Sequence, residues 1–112
     1  MVTTDEIKQA YKAMIDSKIV LFKAGETALE AKADLKSSEV HILTSTDPKE
    51  LGPNEAVRTA TVRTKLRIEY EALDMAETTL REAQLAFDLA RMGVECLQWQ
   101  IRNECTITHG GI

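Results

Sequence analysis

Residues Thr44–Asn54 read TSTDPKELGPN, and they separate two long segments of helical periodicity. Pro48 and the pair Gly52-Pro53 stop one helix and prepare the next, because proline lacks an amide hydrogen and clashes with the preceding turn. Asn54 is a candidate N-cap for the second helix; Gly52 as cap with Pro53 at the first helical position is the alternative. A short connection between two long helices implies that they fold back antiparallel.

The flanking segments carry a heptad pattern. In the first, Ile7, Met14, Leu21, Ala28 and Leu35 recur every seven residues, with Ala10, Ser17, Ala24 and Ala31 at the companion position. In the second, Leu66, Leu73, Leu80, Phe87, Val94 and Ile101 alternate with Ala76, Ala83, Ala90 and Leu97. Such spacing makes a coiled-coil seam, and its small residues let the helix backbones approach. Thr3 with Glu6 forms a capping box at the start of the first helix.

The expected fold is therefore all-α: an antiparallel coiled-coil hairpin of two helices, about 4–44 and 54–104, in one domain spanning 1–112. The β-branched and glycine-containing tail, 106–112, is expected to fray. A register that pairs large with small residues gives the layers Ile7–Ala90, Ala10–Phe87, Met14–Ala83, Ser17–Leu80, Leu21–Ala76, Ala24–Leu73 and Ala31–Leu66, with Leu35–Val62 last. It places the fold-back on Pro48 and the Ala28–Glu69 pair beside the seam. Gly93 then marks the seam's end, and Leu97, Trp99 and Ile101 overhang it.

A second apolar stripe runs along each helix. Ile15, Ile19, Phe22 and Leu29 form one; Leu85, Leu89, Met92, Cys96 and Trp99 form the other. A two-helix hairpin buries one face of each helix, so additional apolar faces call for a further partner. With the overhanging Leu97 and Ile101, these residues form the expected oligomer interface, and the hairpin is expected to associate with itself, as a dimer or more, into a four-helix or larger bundle. Another protein is the alternative occupant.

Charge and composition argue against several classes of function without excluding a local basic patch. The chain of 112 residues has net charge −4, against general coating of nucleic acid or anionic membrane. No stretch approaches the ~20 apolar residues of a membrane span. The start, MVTTDEIKQA, is polar and acidic, unlike a signal peptide, and Cys96 and Cys105 form no CxxC motif or disulfide framework. A reducing cytoplasm is the expected setting.

Between Ala56 and Ile68, however, Arg58, Arg63, Lys65 and Arg67 meet no acidic residue. They are the candidate contact for an acidic partner or for nucleic acid, although only Tyr70 is close by for base stacking, and ordinary surface salt bridging is favoured.

No catalytic signature is present. Neither His41 nor His109 follows a glutamate by three residues, as di-iron helices require, and no Cys/His cluster has zinc spacing. Glu71 and Asp74 make an ExxD pair of the kind that holds magnesium in helical nucleotide hydrolases, but the facing helix offers only Glu26. No metal, cofactor or catalytic residue is assigned. The expected function is that of a non-enzymatic oligomeric interaction protein (structural, adaptor or inhibitor-like). A nucleic-acid-associated accessory protein is the alternative, and a metal-dependent nucleotide hydrolase a distant third.

The stretch GPNEAVRTATVRTKLRIEYEALDMAETTLREAQLAFDLARMGVECLQWQIR, Gly52–Arg102, resembles small uncharacterised helical-hairpin proteins of bacterial phages and mobile elements. Gly52, Asn54, Glu55 and Arg58 carry the resemblance, as a Gly-x-Asn-Glu turn followed by arginine and an Ala-rich heptad helix. It implies a phage or mobile-element setting and no activity.

Overall fold

In the computed structural model, described for residues 1–110 and for side chains as far as Cys105, every element is a helix. Four occur: α1 (Thr4–Ser45), α2 (Pro48–Leu51), α3 (Glu55–Lys65) and α4 (Arg67–Gly110). The two long helices, α1 and α4, pack on each other as a helical hairpin. Its first cap is the expected one. The Thr3 amide donates to Glu6 Oε2 at 3.1 Å, and the Glu6 amide donates to Thr3 Oγ1 at 3.2 Å. Two amides that the helix leaves without carbonyl partners are thereby satisfied.

The connection is more structured than a simple bend. Asp47 caps α2 by accepting from the Lys49 amide at 3.0 Å, and Pro48 occupies the first turn, where its missing amide costs nothing. Gly52 closes α2 at φ 145°, a backbone conformation open to glycine and strained for other residues. Asn54 then caps α3, its side chain accepting from the Val57 amide at 2.9 Å.

The second long helix is interrupted at Leu66, where one continuous helix was expected. Leu66 has φ −105° and ψ 26°, outside the helical region, although its amide still donates to Val62 O and its carbonyl accepts from the Tyr70 amide. Local chemistry explains the break. α3 contains Val57, Thr59, Thr61, Val62 and Thr64, whose branching restricts χ1 against the preceding turn. Thr61 and Thr64 hydroxyls also donate back to the carbonyls of Val57 and Ala60, a bond that bends helices. At its other end α4 runs past the expected limit of 104 to Gly110. The remainder of the expected frayed tail lies outside the described residues.

The chain divides into two compact units. The first comprises Met1–Lys23 and Arg81–Ile112. Within it Ala83 and Val94 are buried, while Ile7, Met14, Leu21, Phe87, Leu97 and Ile101 are half-buried, as the heptad pattern requires. The N-terminal ammonium lies 3.7 Å from Glu104, the Val2 amide donates to the same carboxylate, Gln98 donates to the Tyr11 hydroxyl, and the Lys18 ammonium stands over the Phe87 ring. The two strands of helix are therefore antiparallel.

The second unit, Ala24–Leu80, holds the densest packing. Leu35, Leu51, Val62 and Leu66 form a buried cluster, with Ile42, Tyr70 and Leu73 packed against it. Leu51 is 3% exposed: the short α2, packed on α3, exists to drive this side chain between the helices. Ala24, Ala28 and Ala76 are also buried, so small residues do line the seam.

These contacts correct the expected register. Lys18 meets Phe87 rather than the neighbourhood of Thr79, and Glu39 meets Tyr70 rather than Arg58. Facing residues thus lie about two to three turns further along the second helix than expected. The fold-back consequently sits on Gly52–Asn54, not on Pro48, because α2 lengthens the connection. A second correction follows: Leu97 and Ile101 do not overhang but are half-buried within the first unit, and the seam continues past Gly93 to buried Val94.

Candidate interaction surfaces

The first unit leaves a broad set of apolar side chains in water. On α1 Ile15 and Ile19 are exposed together with Phe22, at 66%. On α4 Leu85, Leu89, Met92 and Trp99 are between 58% and 61% exposed, and Cys96 is an exposed free thiol. In the second unit Leu29 is exposed, and so are Val40, Leu43, Val57, Ile68 and Met75, which are absent from the sequence-based set; Ile68 and Met75 are the most exposed of these. The seven-residue spacing of Ile68 and Met75 was the signal that could have found that pair. Among the described residues no large side chain is fully buried, so much of the chain's apolar surface has no partner within the chain.

The basic stretch has a different fate. Arg58 is half-buried and its Nε donates to the Gly52 carbonyl at 2.9 Å, tying α3 to the turn. Arg63 stacks on the Tyr70 ring at 5.0 Å, and Arg67 lies 3.8 Å from Glu71. Three of the four candidate cations are therefore engaged within the chain, and Lys65, which is exposed, lines the open apolar surface of α3 with Ala56, Val57 and Ala60. The Arg67 contact also supplies Glu71, half of the ExxD pair, with a counter-charge.

Beside these residues a shallow cleft of about 330 Å³ is lined by Glu39, Leu43, Glu55, Arg58, Thr59, Val62 and Tyr70. Two of its polar groups, Tyr70 and Glu39, bind one another. The Tyr70 hydroxyl donates to Glu39, and this bond raises the Tyr70 pKa above 10.0, aided by desolvation and the carboxylate charge and opposed by Arg63. The Arg63–Tyr70–Glu39 group was not anticipated, since Glu39 is 31 residues from Tyr70 and the assumed register did not bring it there.

Among the described residues no three His, Cys, Asp or Glu side chains converge as a metal site would require. His41 is exposed at the end of α1. No described helix is long and apolar enough to cross a membrane. Compared with known proteins, the chain matches no family model, no curated sequence and no solved structure.

Proposed function

We propose that this protein is a non-enzymatic helical interaction protein that associates with itself in the cytoplasm, as a structural, adaptor or inhibitor-like component. The observation that carries this reading is the outward face of the first unit, where Leu85, Leu89, Met92 and Trp99 on α4 remain more than half exposed. Each such side chain gains about 1.5–3 kcal/mol on full transfer from water, so leaving four of them in solvent is costly without a partner. Charge supports the same reading in part, because Arg58 is tied to the turn carbonyl of Gly52 and the exposed Arg63 and Arg67 would exchange contacts with Tyr70 and Glu71 for any phosphate. The phage or mobile-element setting suggested by the turn motif is compatible with such a component.

Sedimentation equilibrium between about 1 and 100 µM tests the proposal, since a specific interface falls in this affinity range. The wild-type chain should sediment as a dimer or larger species, and Leu89→Glu should shift it toward monomer with its helix content retained. A wild-type chain that is monomeric across the range would overturn it.

A further inference from the structure

We infer that the partner of the outward face of α4 is the same face of a second copy, packed antiparallel about a dyad beside Gly93. This rests on the self-association proposed above. From Arg81 onward the outward residues Leu85, Leu89, Met92, Cys96 and Trp99 are spaced four, three, four and three apart, which is a second heptad seam on the side away from the first. The residues immediately preceding its turns, Arg81, Asp88, Glu95 and Arg102, line one edge of that seam, and the other edge, Ala86, Gly93 and Gln100, is uncharged. In an antiparallel pair like edges face each other, so the pattern of charge along one edge selects the register.

Three heptad registers use this stripe. One brings Arg81 against Arg102 and Asp88 against Glu95, opposing like charges. Another places the Glu82 carboxylate in an apolar layer with Met92. The third is centred beside Gly93: Leu89 packs on Trp99 of the second copy, Met92 on its Cys96, and Asp88 faces its Arg102, with every contact repeated by symmetry. Met92 then meets the smaller Cys96, Leu85 lies opposite Asn103, and Glu82 is carried to the end of the contact, opposite position 106, instead of into a layer with Met92. The two Glu95 side chains meet at the centre, each 3.9 Å from Arg91 of its own chain, a guanidinium that also lies 3.8 Å from Asp88.

Two further observations fit this packing. A Cβ added at Gly93 would meet nothing within 4 Å, so the chain itself gives no steric reason for a glycine inside this helix; close approach of a second helix at the dyad does. The four exposed side chains Leu85, Leu89, Met92 and Trp99 also offer on the order of 500 Å² per copy, and the pair reaches roughly the 1,000 Å² that a specific interface must clear.

The test uses the full chain with Cys96→Ser and Cys105→Ser, into which either Asp88→Cys or Arg102→Cys is introduced. Mixed and mildly oxidised, the two proteins should form a disulfide-linked heterodimer as the main product, identified by mass. Each alone should stay largely unlinked, because its own cysteines lie about 20 Å apart along the pair. In the unmodified chain, Arg102→Asp should weaken self-association about tenfold, and adding Asp88→Arg should restore it to within about threefold. A wild-type dimer whose mixed cysteines fail to link, or a double variant no tighter than the single one, overturns this packing while leaving self-association standing. A monomeric wild-type chain overturns both.

Discussion

Replacing Gly52 with alanine should destabilise the protein more than any other single methyl group added to it. Gly52 sits at φ 145°, where an L side chain strains the backbone by about 1–3 kcal/mol. Its new Cβ would lie 2.5 Å from Val57 Cγ1, 3.0 Å from Val57 Cβ and 3.3 Å from the Arg58 amide nitrogen. Rotation of Val57 can relieve the first contact, but the other two belong to atoms fixed by α3, so overpacking adds about 1–3 kcal/mol. The sum, on the order of 2–6 kcal/mol, corresponds to a fall in Tm of roughly 8–24 °C for a chain of this size, at about 4 °C per kcal/mol. Thermal unfolding followed by circular dichroism at fixed concentration measures it. Gly25→Ala is the control of opposite sign: its Cβ would meet Leu80 Cδ1 at an ordinary 3.9 Å, so helix propensity should raise stability by about 0.5–1 kcal/mol. A Gly52→Ala protein melting within about 2 °C of wild type would refute the turn geometry described above, since that shift is at most about half of what 1 kcal/mol produces.

Leu51→Ala should cost about 2–5 kcal/mol in chemical denaturation, because Leu51 is buried in the cluster formed with Leu35, Val62 and Leu66. Asn54→Ala should cost about 1 kcal/mol by losing the cap on the Val57 amide, with Asn54→Asp close to neutral. In an alkaline absorbance titration Tyr70 should ionise above its ordinary value, and Glu39→Gln should bring it down. Because the folded-state pKa is the raised one, this contribution to stability is full below the unfolded value of about 10 and disappears as pH rises through the folded pKa. Stability measured from pH 8 to 11 should therefore fall less steeply in Tyr70→Phe than in wild type.

Features encoded by neighbouring residues were legible in the sequence: the Thr3–Glu6 capping box, the Asn54 cap, the break after α1, and the positions that line the seam. The register was not. A heptad seam looks nearly the same when one helix slides by seven residues, because large and small positions still alternate, and volume matching alone did not separate Ser17–Leu80 from pairings further along. What decides it is Leu51, whose four-residue helix fills the space between α1 and α3 and moves the fold-back to Gly52–Asn54. The Leu66 break was hidden for a similar reason, since Leu66 fits the heptad while the threonine-rich α3 before it disfavours an undistorted helix. The outward stripe could be read residue by residue, but the overhang of Leu97 and Ile101 depended on the register and failed with it. The basic stretch was visible as charge, whereas the contacts of Arg58 and Arg63 were not, because Arg58 bonds a turn carbonyl and Arg63 reaches Tyr70, seven residues on, across the Leu66 break.

Placing the tightest cluster beside the turn has a kinetic consequence. The Tyr70–Glu39 contact joins residues 31 apart in sequence, and the Gln98–Tyr11 contact joins residues 87 apart. Formed independently from an open chain, the second loop costs about 1 kcal/mol more entropy than the first. Once the leucine cluster around Leu51 has closed, each further turn of seam adds only a short extension of chain. Folding should thus nucleate at α2 and α3 and zip toward the termini, and amide exchange should be slowest in Val62 and Leu66 and fastest near Val2 and Glu104.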